Sequence, residues 1–252
     1  MASFFEQMCK VIAESEGGEG KISSASPDLQ KFFSDVPKAV PESSPVAVEK
    51  IPEVVPEVSG GERLSSTLDE LQKIVANCQN CPLCRTRSNT VFGEGDPDAR
   101  LMFIGEGPGA DEDRQGRPFV GKAGMLLDKM INAMQFSREE VYIANIVKCR
   151  PPDNRLPAPE EAEKCIGYLR RQIEIVRPEV IVLLGATAVK YLLNVTNGIS
   201  RMRGRWLSYE NIPVMATYHP AFLLRQESAK RDTWNDLQQV MARFGKYHRR
   251  SK

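Results

Sequence analysis

Four short apolar runs, separated by stretches with helical spacing, constrain this chain more than any other feature. The runs are Leu101–Gly105, Val141–Val147, Val180–Gly185 and Val214–Tyr218. Helical segments at Gly121–Gln135, Pro159–Val176 and Ala186–Leu193 lie between them, and a last one covers Arg231–Phe244. A short run with no polar alternation is what a strand buried on both faces requires. Strands separated by helices need crossover connections, which make neighbouring strands parallel. The pattern predicts an α/β fold: a three-layer α/β/α sandwich around a central, mostly parallel four-stranded sheet. A further amphipathic helix, marked by Leu68, Leu71, Ile74 and Val75, leads into a cysteine cluster.

The first 65 residues read differently. Pro27, Pro37, Pro41, Pro45, Pro52 and Pro56 interrupt a Ser- and Glu-bearing stretch with no sustained period. Such a segment buries too little apolar surface to offset its ordering entropy. The expected organisation is a disordered acidic tail over 1–65, a catalytic domain over 66–246 and a basic end over 247–252. The tail carries 6 Lys/Arg against 11 Asp/Glu, and the remainder carries 28 against 22. An acidic tail before a mildly basic body permits a polyanionic partner. Phe4, Phe5, Met8, Val11 and Ile12 suit one face of a short helix, and Leu29–Phe33 faintly resembles clamp-docking peptides without matching their spacing. A clamp or repair partner bound through the tail is therefore the weakest expectation. No apolar run reaches the roughly 20 residues of a membrane span. The N-terminus lacks a basic and apolar leader, so the expected location is the cytoplasm, with reduced thiols.

In open parallel sheets, ligands bind beyond the carboxyl ends of the strands. The first run exits into Gly105-Glu106-Gly107-Pro108-Gly109, the second carries Asn145, the third ends at Gly185 and the fourth at Tyr218-His219-Pro220. A glycine turn, an amide and an imidazole are thus expected on one rim. The turn lacks the Gly-Lys-Ser/Thr of a phosphate-binding loop and the spacing of a dinucleotide fingerprint. The acidic run Asp111-Glu112-Asp113 would also repel a pyrophosphate. The amide of Asn145 matches the N3–H and O4 of uracil or thymine, and cytosine presents the reverse pattern. An imidazole near O2 would stabilise charge on a departing pyrimidine, and Phe119 could stack on its face. Such a pocket suits an enzyme that extrudes a base from the duplex.

Cys78 and Cys81 form a C-x2-C pair, and fifteen residues separate Cys149 from Cys165. Four thiolates suit a tetrahedral zinc or an iron–sulfur cluster. Cys84 is a competing ligand, Cys9 a weak one, and Cys165 also reads as a core residue beside Ala162, Ile166, Leu169 and Ile173.

From about Leu71 to Phe244 the chain resembles the family 4 uracil-DNA glycosylases, which carry a 4Fe–4S cluster. The matching segments are 91–95, 105–113, 116–124, 142–152 and 219–225, in the family's order. The resemblance implies a DNA glycosylase that releases uracil from DNA and leaves an abasic site, acting as a cytoplasmic, nucleoid-associated monomer. It places Cys78, Cys81, Cys149 and Cys165 on the cluster-ligand positions, with Cys84 a bystander. It places Glu106, Gly107, Phe119, Asn145 and His219 at the base. Glu106, Gly107, Glu112 and His219 are the catalytic candidates, with glycine at 107 where many superfamily relatives carry an acid. Phe222, Leu223, Leu224 and Arg225 are implied to meet DNA, and Arg201, Arg203 and Arg205 are expected to contact phosphates. Competing readings are a non-catalytic Fe–S or zinc DNA-binding module, a nucleotide hydrolase, and a sister glycosylase with another damaged-base preference.

Overall fold

A computed structural model of the protein describes residues 67–246. The tail, with Cys9 and the clamp-like segment, lies outside the described residues, as does the basic end with His248. The chain opens with α1 (Leu68–Ala76), which starts at a capping box. The Thr67 hydroxyl accepts from the Glu70 N–H, and the Glu70 carboxylate accepts from the Thr67 N–H, each at 3.3 Å. There follow β1 (Glu94–Gly95), β2 (Leu101–Gly105), α2 (Ala110–Gln115), α3 (Lys122–Ala133), β3 (Tyr142–Asn145) and α4 (Pro159–Val176). The second half comprises β4 (Val180–Leu184), α5 (Ala186–Leu193), α6 (Ile199–Met202), β5 (Trp206–Tyr209), β6 (Ile212–Thr217), α7 (Pro220–Leu223) and α8 (Ala229–Arg243).

The sheet has six strands in the order β1-β3-β2-β4-β6-β5. The four expected runs form its parallel centre, as β3-β2-β4-β6. The expectation of four strands is corrected by two antiparallel edges, β1 on β3 and β5 on β6. Their absence from the sequence reading has a physical reason. Strand β1 has only two residues, and β5 is partly exposed along its length, so neither carries a buried run. The β5–β6 hairpin turns on Glu210 and Asn211, both at positive φ (47° and 67°). Two left-handed residues give the twist a two-residue hairpin needs, but the usual Asn-Gly or Asp-Gly signature is missing.

Burial of both faces explains the three layers. On β2, Leu101 and Phe103 join a core with α3 and α8, while Met102 and Ile104 join one with α4 and α5. The same division runs through β4, where Val182 faces one layer and Ile181 and Leu183 the other. Helix α1 sits outside α4, closing a small cluster of Leu71, Val75 and Phe92. The chain leaves β2 for β3 on one side, then crosses to β4 on the other. Strand ends β2 and β4 therefore flank a topological switch point, where α/β sheets place their ligands. Among the described residues no helix is long and apolar enough to cross a membrane.

One polar group fastens β6 to α8. Asp236, 1% exposed, accepts from the Thr217 hydroxyl at 2.7 Å and from Arg203 Nη2 and Nε at 2.6 and 3.0 Å. Asp236→Ala leaves a guanidinium and a buried hydroxyl without their acceptor. It is expected to lower the unfolding free energy in urea by about 3–5 kcal/mol, against about 1 kcal/mol for Thr217→Val.

Candidate active site

The ends of the four parallel strands converge on Gly105. A Cβ there would lie 2.5 Å from both Asn145 Oδ1 and Phe119 Cζ, so only a hydrogen fits between the amide and the ring. The Phe119 ring in turn lies 5.6 Å from that of His219, tilted by 32°. His219 follows β6 and approaches the end of β4, where a Cβ on Gly185 would meet His219 Cβ at 3.1 Å. Gly185 has φ +92°, a conformation that L side chains rarely adopt. Residues 105, 119, 145, 185 and 219 thus meet across 115 positions of sequence. Asn145 is 2% exposed, and its Oδ1 is buried with no hydrogen-bond partner. A native protein seldom leaves a buried carbonyl unmet unless a ligand or water completes it.

Three main-chain N–H groups fix the loops around these residues through one carboxylate. Glu112 Oε2 accepts from Gly109 N at 3.1 Å, and its Oε1 accepts from Val120 N and Gly121 N at 2.9 Å each. The glycine turn and the Phe119 loop are joined through this one carboxylate. Glu112 was expected among the catalytic acids; its oxygens are engaged in holding the loops. The neighbouring Asp113 has a similar duty, while Asp111 pairs with Arg114 on the same helix. Asp113 is buried and accepts from Ser88 N at 2.9 Å and Asn89 N at 3.4 Å. All three acids occupy the first turn of α2, where the helix dipole favours negative charge.

Phe119 itself is held at φ 51°, unusual for an aromatic residue. Two features sustain that conformation. Gly124 lets α3 pass under the Phe119 carbonyl, which a Cβ would meet at 1.9 Å. Arg138 donates to Pro118 O (2.6 Å) and Phe119 O (3.3 Å), and to the carboxylates of Glu94 (2.7 Å) and Asp128 (2.5 Å). The sequence reading missed Arg138, which lies in a polar segment far from the glycine motifs.

Glu106 leaves the end of β2 and accepts at 2.5 Å from the hydroxyl of Thr187 in the first turn of α5. This contact spans the switch point between β2 and β4. Burial raises the Glu106 carboxyl above its ordinary value, and the Thr187 hydroxyl opposes that shift. Thr187 was also missed, although it stands two residues past Gly185, at a strand end. A Cβ on Gly107 would meet Val147 Cγ2 at 2.6 Å, so a side chain there requires Val147 to shift. His219 Nδ1 accepts from Ala221 N at 3.1 Å, which leaves the imidazole proton on Nε2. Burial, assisted by the positive charge of Arg225 and opposed by Glu112, lowers His219 to about 4. The ring is therefore a neutral donor near pH 7.

Beyond His219, α7 carries the segment expected at DNA. Phe222 and Leu224 are exposed, at 37% and 45%, and Arg225 is exposed as well. Leu223, between them, is fully buried in the α3–α8 core. The Phe222 ring packs 5.0 Å from Tyr218. Of the arginines expected at phosphates, Arg201 and Arg205 are exposed, while Arg203 is committed to Asp236.

On the other face of the sheet, Cys78, Cys81, Cys84, Cys149 and Cys165 line one cavity, together with Arg87, Lys148 and Tyr168. Three sulfurs already receive N–H groups: Cys149 from Arg87 (3.1 Å), Cys165 from Lys148 N (3.3 Å) and Cys78 from Asn80 N (3.5 Å). Cys165 also packs with Ala162, Ile166, Leu169 and Ile173, as its expected core role requires. Among the described residues, no three Cys, His, Asp or Glu side chains converge on a single-ion position. A lone zinc needs sulfurs drawn to about 2.3 Å of one centre. The cysteine sulfurs around this cavity are donors of the kind that zinc or an iron–sulfur cluster takes.

Two rings, a glycine and a buried carbonyl without a partner thus meet at the switch point of an α/β sandwich. The family model for the uracil DNA glycosylase superfamily matches residues 92–238. A type-4 uracil-DNA glycosylase of Thermotoga maritima is 48% identical over 170 residues, 64% of this chain and 88% of the relative. Those of Archaeoglobus fulgidus and Sulfurisphaera tokodaii are each 42% identical, covering 71% and 69% of this chain and 94% and 84% of the relatives. The chain belongs to the uracil DNA glycosylase superfamily.

Replacing Arg138 by Met removes the donors that hold two carbonyls of the Phe119 loop. The variant is expected to lose roughly 1–3 kcal/mol in urea unfolding and to become more sensitive to limited proteolysis between residues 116 and 121.

Proposed function

We propose that this chain hydrolyses the N-glycosidic bond of 2′-deoxyuridine in DNA, releasing uracil and leaving an abasic site, as repair of deaminated cytosine requires. The observation that carries the reading is the buried, unpartnered Asn145 Oδ1 beside Phe119 and His219. That oxygen accepts uracil N3–H, and the amide NH2 donates to O4. Cytosine has no N3–H and offers a donor at position 4, so both contacts turn repulsive. Phe119 stacks on the everted base. The names of the similar proteins agree with this assignment.

The reaction needs the C1′–N1 bond to break with its electron pair on uracil. His219 Nε2–H donates to O2, where the departing anion gathers charge, and main-chain N–H groups of the 105–109 turn assist. The sugar passes through an oxocarbenium-like state. A water oxygen then bonds to C1′, and its proton leaves to Glu106 or to solvent. Glu106 is the water-positioning group in this scheme, since Thr187 engages one of its oxygens and Glu112 is spent on the loops. Phe222 and Leu224 fill the space of the extruded base, and Arg201, Arg205 and Arg225 meet phosphates.

The cysteine cavity is proposed to hold a 4Fe–4S cluster through Cys78, Cys81, Cys149 and Cys165. The cluster, when bound, braces the end of α1 against β3 and α4. Cys84 lines the same space, and its exclusion from the ligand set rests on the resemblance. Cys165→Ser is expected to abolish the broad band near the violet edge and the bound iron, whereas Cys84→Ser retains both.

His219→Ala is expected to reduce single-turnover uracil release about 10²–10³-fold, and Asn145→Ala or Glu106→Gln to slow it as well. If neither Asn145→Ala nor Glu106→Gln slows release, the pocket assignment is wrong. The imidazole stays neutral down to about pH 4, so kcat/KM is expected to show no inflection near 6.5, the ordinary histidine value. The unfolded chain takes up that proton near 6.5 and the folded one only near 4. His219 therefore contributes stability above 6.5 that is lost as the pH falls towards 4.

A further inference from the structure

Lys148 stands between the cysteine cavity and the base recess, three residues past Asn145 and next to Cys149. Its side chain is 1% exposed, and it lines the cysteine cavity. The ammonium donates to the main-chain oxygen of Asn145 at 2.9 Å and to Gln172 Oε1 at 2.5 Å. Both acceptors are neutral. Gln172 is itself fixed, donating to Phe92 O and to the Tyr142 hydroxyl at 3.0 Å each. It lies two turns beyond Cys165 on α4. Among the described residues, no carboxylate pairs with Lys148, and Cys149 and Cys165 line the same cavity.

A buried ammonium without a counter-charge is costly, and evolution seldom retains one where a neutral side chain would pack. Four thiolates around a 4Fe–4S core form an anionic assembly, which supplies the missing charge. We infer that Lys148 is a positioning residue: the buried counter-cation of the cluster, it grips the Asn145 main chain and thereby aims the amide that reads the base. The inference rests on the uracil-pocket reading above. It gives the cluster a stake in base recognition through one side chain, with no electron transfer.

The test uses the iron-loaded protein and two measurements other than excision: free uracil binding and the reduction potential of the cluster. Lys148→Met keeps the length of the side chain and removes the charge. Uracil is expected to bind about tenfold more weakly, and the potential to move to more negative values, because an added electron no longer meets a nearby cation. Gln172→Glu keeps the ammonium on Asn145 but sets a carboxylate beside it. Its potential is expected to fall while uracil affinity stays within about twofold. Unchanged uracil affinity in iron-replete Lys148→Met, or an unchanged potential in Gln172→Glu, overturns the inference. Should Lys148→Met fail to fold or to retain iron, the Gln172→Glu potential decides alone. Wild-type protein that binds no uracil would instead count against the pocket reading itself.

Discussion

Four parallel strands covered on both faces leave polar chemistry only one place to collect. Along β2 and β4 every residue is buried, and each strand is paired on both sides. At the carboxyl ends the ladder stops, the chain turns, and side chains from distant segments come within reach of one another. The crossing from β3 to β4 on opposite sides of β2 opens the crevice there. Asn145, Phe119, His219 and Glu106 are near each other because the sheet runs out beneath them.

The polar groups around that crevice divide their labour by what already satisfies them. Glu112, Asp113, Asp236 and Arg138 have full sets of partners inside the protein and hold loops and strands in place. Asn145 Oδ1 has none, and Glu106 has one. Acidic residues close together in sequence, 106 and 112, thus differ in role because their hydrogen bonds are differently committed. Charge and proximity alone would have treated them alike.

Much of this was legible beforehand. The helices over 159–176 and 186–193 and the strand over 101–105 fall where apolar spacing places them, because each buries a wide and regular stripe. The convergence of Gly105, Asn145, Gly185 and His219 followed from the rule of strand ends. Other features depend on tertiary contacts that no local pattern records. The edge strands carry no buried run, and Glu210-Asn211 adopts left-handed backbone without glycine. The last helix begins at Ala229 rather than Arg231, since Ala229 and Lys230 are already buried. Leu223 and Arg203 look like their exposed neighbours in sequence, and only their packing separates them. Arg138 and Thr187 act through carbonyls and a carboxylate brought from elsewhere in the chain.

The burial of Leu223 between Phe222 and Leu224 has a mechanical meaning. The two outer side chains project from a turn whose middle residue is rooted in the main core, with His219 at its base. A load on the projecting pair is therefore carried into the body of the protein instead of bending a loose loop. The imidazole at the base of the turn is anchored with it, as a tooth set in bone keeps its line under bite.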